Sequence, residues 1–174
     1  MSLVAALKEK IRDVPDFPKP GIVFKDITPV LMDQPLFLRV IDGMAAAWKD
    51  EPVHKIAAIE SRGFLFGAPL AHALGVGLVL VRKAGKLPYK TIKQSYALEY
   101  GEATLELHTD AVHPGERVLI VDDLLATGGT ADAAAKLIER QGGAVVGYHF
   151  VIDLTFLDGA KRLGKDKVKS LVQY

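Results

Sequence analysis

Residues 122 to 130 carry the strongest chemical signal in the sequence. Asp122 and Asp123 stand side by side after an apolar run, Val118-Leu119-Ile120-Val121, and are followed by Leu124, Leu125 and then Ala126-Thr127-Gly128-Gly129-Thr130. Flanked by charge, the run reads as a buried parallel strand. The alanine-rich stretch that follows, up to Gln141-Gly142-Gly143, has the pattern of a helix. The expected order is strand, acidic corner, small-residue loop, helix. In an open α/β sheet, ligands sit beyond the C-terminal strand ends. A glycine loop without bulky side chains lets backbone N–H groups close around a phosphate. The helix adds its positive end, and the hydroxyls of Thr127 and Thr130 add donors. Two carboxylates beside such a cradle make sense if they accept hydrogen bonds from sugar hydroxyls or hold a hydrated Mg²⁺. Phosphate, diol and metal together describe a ribose phosphate.

Two further stretches point to the same face. Lys55 to Ile59 reads as a short buried strand, and it ends at the charged cluster Glu60-Ser61-Arg62-Gly63 before a helix over Phe64 to Leu74. Gly77 to Arg82 reads as a third strand, running into Arg82-Lys83-Ala84-Gly85-Lys86-Leu87-Pro88-Tyr89-Lys90. The positive charges and the Gly-Pro content mark this stretch as mobile and anion-seeking. Ser95 to Tyr100 and Ala103 to His108 alternate on either side of Gly101-Glu102, the pattern of a hairpin.

The remaining elements must position these groups. Ser2 to Asp13 has helical spacing, with Ser2 as N-cap. Val14 to Gly21, with Pro15, Pro18 and Pro20, is a stiff loop. Asp33 to Lys49 is a helix with Leu36, Val40, Ile41, Met44 and Trp48 on its apolar face. Ala144 to Asp153 is a strand, Thr155 to Leu163 a short helix, and Val168 to Val172 an edge strand.

The 174 residues suit one domain, with 49% hydrophobic and 25% charged residues, as in a soluble globular protein. A net charge of +1 gives no electrostatic case for a nucleic-acid or membrane partner. The absence of cysteine excludes disulfides and thiolate metal sites and is compatible with a reducing cytoplasm. No apolar stretch reaches the roughly 18 residues of a membrane span. Lys8, Glu9, Lys10, Arg12 and Asp13 interrupt any signal-peptide core. The phosphate loop of nucleotide hydrolases, the dinucleotide glycine fingerprint, the serine-hydrolase elbow and His-rich metal spacings are all missing.

Val-Leu-Ile-Val-Asp-Asp-Leu-Leu-Ala-Thr-Gly-Gly-Thr (118–130) resembles the phosphoribosyl-pyrophosphate motif of the type I phosphoribosyltransferases, and its two-acid form resembles the adenine-specific members. So does Phe17-Pro18-x-Pro20-Gly21-Ile22-x-Phe24-x-Asp26-Ile27-Thr28-Pro29, the hood segment that holds the base. Lys25 stands where that family commonly has arginine. The likeness runs from roughly Phe17 to Tyr174.

The resemblance implies an α/β fold with a parallel-sheet core, flanking helices, a small N-terminal hood at about 14–32 and a flexible lid hairpin at about 82–100. It implies transfer of phosphoribose from phosphoribosyl pyrophosphate to adenine, giving AMP and pyrophosphate, with Mg²⁺ held mainly by substrate and water rather than by a direct protein site. Asp122 and Asp123 would hold the ribose, and Ala126, Thr127, Gly128, Gly129 and Thr130 the 5′-phosphate. Ser61, Arg62, Arg82 and Lys86 would meet the pyrophosphate, with a cis peptide near Glu60-Ser61. Val23 and Lys25 would read adenine through their main chains while Phe24 and Leu124 stack on it. Glu99, in Leu-Glu-Tyr-Gly, matches the catalytic glutamate, which takes or shares a proton or stabilises positive charge on the sugar. A homodimer is also implied. A transferase for another nucleobase would share the phosphate motif but lack the hood and Leu-Glu-Tyr-Gly. A phosphoribosyl-binding regulator of transcription would need a DNA-binding domain, and few residues precede the hood.

Overall fold

The computed structural model describes residues 1–97 and 101–174. Its core is a seven-stranded sheet in the order β5-β6-β4-β3-β7-β8-β9. The strands are β3 (Lys55–Ile59), β4 (Gly77–Lys83), β5 (Thr91–Ala97), β6 (Glu102–His108), β7 (Arg117–Leu125), β8 (Ala144–Asp153) and β9 (Val168–Gln173). β4, β3, β7, β8 and β9 run parallel, and β6 and β5 add an antiparallel edge. All the parallel C-terminal ends therefore open on one face. A separate two-stranded sheet, here termed the hood, pairs β1 (Arg12–Pro15) with β2 (Val23–Asp26), in the stretch where the resemblance expects one.

Helices cover both faces of the large sheet. On one lie α1 (Leu3–Lys10), α2 (Thr28–Met32), α3 (Gln34–Ala46) and α4 (Gly63–Leu74), burying Leu7, Val30, Met44 and Phe66 against Ile56, Leu119 and Val121. On the other lie α5 (Gly129–Arg140) and α6 (Gly159–Leu163), burying Leu137, Ile138 and Leu163 against Ile59, Val118 and Ile120. Ala133 and Ala134 let α5 lie close to the sheet.

Several boundaries differ from expectation. α1 stops at Lys10, because Ile11 is already extended, and Arg12–Pro15 pairs with Val23–Asp26 instead. Thr28–Met32 is an unexpected helical turn; Asp26 accepts from both the Thr28 N–H and its hydroxyl at 2.9 Å. Pro69, expected near the first turn of the Phe64–Leu74 helix, falls inside α4 beyond that turn. β5 begins at Thr91, four residues ahead of the expected Ser95, since its alternation with β6 extends to Thr91↔His108. Thr155–Leu163 divides into a 3₁₀ turn and α6 at Asp158, whose φ is 56°.

Candidate active site

β7 does not end at Val121. It continues through Asp122, Asp123 and Leu124 to Leu125, paired with β8 as far as Leu125↔Asp153. On its other side, pairing with β3 stops at Ala58↔Val121. The acidic pair thus sits inside the strand, at the point where β3 turns away. The regular alternation also lapses there. Leu119 and Val121 face the α4 side and Val118 and Ile120 the α5 side, but beyond the pair Leu124 joins the α4-side cluster and Leu125 the other.

Asp122 accepts a hydrogen bond from the Asp123 N–H at 2.8 Å. A Cβ at Gly63 would lie 2.8 Å from the Val121 carbonyl and 2.9 Å from Asp122 Oδ1, so only glycine lets α4 begin this close to the pair. Burial, and next the Asp123 carboxylate beside it, push the Asp122 carboxyl well above the usual carboxylate range. Asp123, itself buried, meets Arg62: Nε lies 2.6 Å from Oδ2. The Arg62 guanidinium carbon is in turn 5.3 Å from the Phe24 ring centroid. Hood, α4 start and acidic pair are joined through this one arginine. The Glu60–Ser61 peptide just before it is cis, as the resemblance implied.

Leu125 leads into the loop over Ala126 to Thr130. Gly128, at φ 80°, occupies the left-handed region and begins α5 with no side-chain cap. At this uncapped start of α5, where the first N–H groups lack helical partners, lies a small cavity of about 80 Å³ lined by residues that include Leu124, Thr127, Gly128, Gly129, Thr130 and Phe150. Its size, donors and helix N-terminus suit one phosphate group. A larger cleft of about 580 Å³ lies along β9, among His149, Lys161, Lys169 and Gln173; it shares no residue with the acidic pair or this loop.

Two carboxylates hold the basic stretch. Glu60 Oε2 accepts from the Lys83 N–H at 2.7 Å and from Arg82 Nε at 3.1 Å. Glu106, on β6 and only 2% exposed, accepts from the N–H groups of Lys86 and Leu87, both at 2.9 Å. Burial opposes ionisation of Glu106, but the bonds from Leu87, Gly85, Lys86 and Thr91 together outweigh it and hold its carboxyl below the ordinary value. The turn expected to be mobile is therefore tied at its start. Glu106 escaped the sequence reading because a glutamate in an alternating strand reads as solvent-facing; the basic turn opposite was the available signal.

The hood presents β2 with one edge paired to β1 and, among the described residues, no strand on the other. Phe17 packs edge-on against Phe24 at 5.2 Å, Val23 is exposed, and Lys25 Nζ meets Asp13 at 2.6 Å. Glu99 lies outside the described residues; the hairpin pairing that flanks it closes at Ala97↔Glu102. Among the described residues no group of three or more His, Asp or Glu side chains forms a metal cage. Two adjacent carboxylates beside a phosphate cradle nonetheless fit Mg²⁺, which keeps several waters and takes its other ligands from substrate phosphates.

This geometry has counterparts. Residues 30–172 match the family model for the phosphoribosyl transferase domain, the class that the fold and the site define. The chain is 62% identical to an adenine phosphoribosyltransferase of Anaeromyxobacter sp. (strain Fw109-5), covering 97% of this chain and 96% of that one. The crystal structure of adenine phosphoribosyltransferase from Thermoanaerobacter pseudethanolicus superposes with a TM-score of 0.96 at 55% identity, covering 99% and 100%. That of the Saccharomyces cerevisiae enzyme, complexed with an imino-altritol bisphosphate and adenine, gives 0.91 at 42% identity, covering 97% and 98%. The chain belongs to the adenine phosphoribosyltransferase family.

Proposed function

We propose that this chain transfers the 5-phosphoribosyl group from phosphoribosyl pyrophosphate to adenine, giving AMP and pyrophosphate in purine salvage. The observation that carries the reading is the continuity Phe24–Arg62–Asp123, which sets an aromatic ring of the hood beside an acidic pair, on the strand that leads into a helix N-terminus. The yeast relative was crystallised with adenine, in keeping with that substrate.

In the proposed mechanism the 5′-phosphate accepts hydrogen bonds from the N–H groups of Ala126 to Thr130 and the hydroxyls of Thr127 and Thr130. Asp122 and Asp123 accept from the ribose hydroxyls. Mg²⁺, when bound with the substrate, screens the charge of the pyrophosphate oxygens. The leaving pyrophosphate is met by Ser61, Arg62, Arg82 and Lys86, and such charged hydrogen bonds contribute about 1.5–3 kcal/mol each. Adenine stacks between Phe24 and Leu124, and main-chain groups of Val23 and Lys25 read its edge. A purine ring nitrogen bonds to the anomeric carbon as the bond to pyrophosphate breaks, the electron pair leaving with the pyrophosphate. Glu99 accepts the proton that the purine loses or stabilises the cationic sugar. The segment 82–100 closes over the site and limits hydrolysis.

The assembly we propose is a homodimer in the cytoplasm. Leu65 of α4 and Leu78 and Leu80 of β4 are exposed, while Val79 and Val81 of the same strand are buried on the α5 side. Exposed leucines on neighbouring elements suit contact with a second copy. No helix among the described residues is long and apolar enough to cross a membrane.

A nucleobase panel with Mg²⁺ and phosphoribosyl pyrophosphate tests the reading. Adenine should be consumed far faster than guanine or hypoxanthine. Equal or greater turnover of a 6-oxopurine would overturn it.

A further inference from the structure

The hood hairpin is not a strand of the main sheet. Among the described residues β1 and β2 pair only with each other, and an isolated two-stranded sheet is marginal in water. Its place over the site therefore depends on side chains that reach the body of the domain. One of these is Arg62 against Phe24. Another involves Tyr174, the residue after β9.

Tyr174 is fixed through its main chain. Its N–H donates to the Asp153 carbonyl at 3.0 Å, and its carbonyl accepts from the Thr155 N–H at 3.0 Å and the Thr155 hydroxyl at 2.7 Å. The ring is thereby held at the C-terminal end of the parallel strands, on the ligand face. Lys25 Nζ lies 3.9 Å from its centroid, and Lys8 Nζ reaches it from α1 at 5.7 Å. The same Lys25 Nζ is 2.6 Å from Asp13 Oδ1, and its side chain is only 13% exposed. Ammonium over an aromatic face at this distance is a cation–π contact, stronger where water is excluded. Lys25 thus spans from β2 to a ring that cannot follow the hood if the hood moves. The Tyr174 hydroxyl is buried with no hydrogen-bond partner, so the face of the ring, not the hydroxyl, makes the tie.

We propose that Tyr174 is a positioning residue for the purine base: by holding Lys25 it fixes where the β2 main chain stands over the base seat. The proposal rests on the reading of the hood as the base-holding element. Loss of the ring lets β2 shift from the base, while the Arg62–Asp123 ion pair keeps its own 2.6 Å contact and the phosphate loop and lid anchors stay on the main sheet. Adenine affinity is then the quantity that suffers.

The test uses the full chain with Tyr174→Leu and Tyr174→Phe. Steady-state kinetics give kcat and the KM for each substrate, and amide hydrogen exchange over residues 12–26 is followed without ligand. Tyr174→Leu should raise the KM for adenine roughly threefold to thirtyfold, the range of a cation–π contact. It should leave kcat and the KM for phosphoribosyl pyrophosphate within about twofold, and should speed exchange in β2. Tyr174→Phe should behave as the unmodified chain. Unchanged exchange in Tyr174→Leu, a parallel loss across both substrates, or equal damage from Tyr174→Phe each overturn the proposal. Faster exchange with an unaltered adenine KM would instead leave the tie standing and remove the hood from base binding, and with it the proposed role. If Tyr174→Leu fails to fold, Lys25→Met cuts the same tie from the hood side, and the same split between the two KM values is required of it.

Discussion

Arg62 Nε stands 2.6 Å from Asp123 Oδ2, so the residue that opens α4 and the second acid of β7 form one ion pair. Asp123 is buried while the Arg62 side chain is 46% exposed. The arginine therefore neutralises a buried charge and still presents its remaining N–H groups to the site. Arg62→Met should strand that carboxylate. We expect a loss of about 1–3 kcal/mol of stability, below the range for a fully buried pair because the arginine is half-exposed. Asp123→Asn in the same chain should restore much of the melting temperature but none of the activity. Thermal melting and turnover of the two single variants and the double variant measure this.

In the proposed base seat, stacking and edge reading fall to different groups. Phe24 is held between Phe17 and Arg62, while the Lys25 side chain points to Asp13 and Tyr174. Phe24→Ala should weaken adenine binding by about 1–3 kcal/mol, the usual worth of a base–aromatic stack. Lys25→Ala should keep the preference for adenine over hypoxanthine within a few-fold, even as affinity for both falls. Competition binding with the two bases decides the point. A collapsed preference in Lys25→Ala would make the side chain the reader.

Glu106 is the anchor of the basic turn. Glu106→Gln retains the shape but offers a weaker, uncharged acceptor to the Lys86 and Leu87 N–H groups. Limited trypsin digestion should cut after Lys86 several-fold faster in that variant than in the unmodified chain. Phosphoribosyl pyrophosphate with Mg²⁺ should slow the cut in both. Equal rates in the two proteins would remove Glu106 from control of the turn.

His149 sets an acid limit to stability. Its Nδ1 accepts from Trp48 Nε1 at 2.8 Å, and burial, then Lys169, lowers its pKa from 6.5 to about 4. The unfolded chain binds the proton more readily, so the stabilising contribution is present above about pH 6.5 and is lost as pH falls towards 4. The difference is on the order of 3 kcal/mol. His149→Gln keeps an acceptor for Trp48 without the titration. Its melting temperature should fall less steeply than that of the unmodified chain between pH 6.5 and 4, a comparison that calorimetry provides.

The glycine loop at 126–130 and the parallel core were legible because they depend on local patterns: a four-residue apolar run, small residues at 126–130, and alanines at helical spacing. The extent of β7 was not. Its last residues are held as a strand by pairing with β8, and the acidic pair interrupts the alternation that would have announced it. β1 was hidden because Arg12-Asp13-Val14-Pro15 has no apolar period and becomes extended only against β2. The single turn of α2 begins Thr28-Pro29 and is too short to show a period. Glu106 and Tyr174 gain their meaning from partners 20 and 149 positions away, at Lys86 and Lys25. Contacts over such separations leave no trace in a local window.

The raised pKa of Asp122 gives the site an adjustable charge. While that carboxyl keeps its proton, and with Asp123 paired to Arg62, an incoming anionic substrate meets no unpaired negative charge at the strand end, and the neutral acid can donate as well as accept. A ligand that brings a cation, or hydroxyls that must donate to both acids, favours the ionised form. At a pH where the free carboxyl holds its proton, binding then expels that proton into solution. The heat of binding becomes buffer-dependent: titrations in phosphate and in an amine buffer at the same pH should differ by the buffers' ionisation enthalpies multiplied by the fraction of a proton released. The fraction itself shrinks as the pH is raised, so affinity for the metal-bound sugar diphosphate climbs with pH until Asp122 is ionised before the substrate arrives.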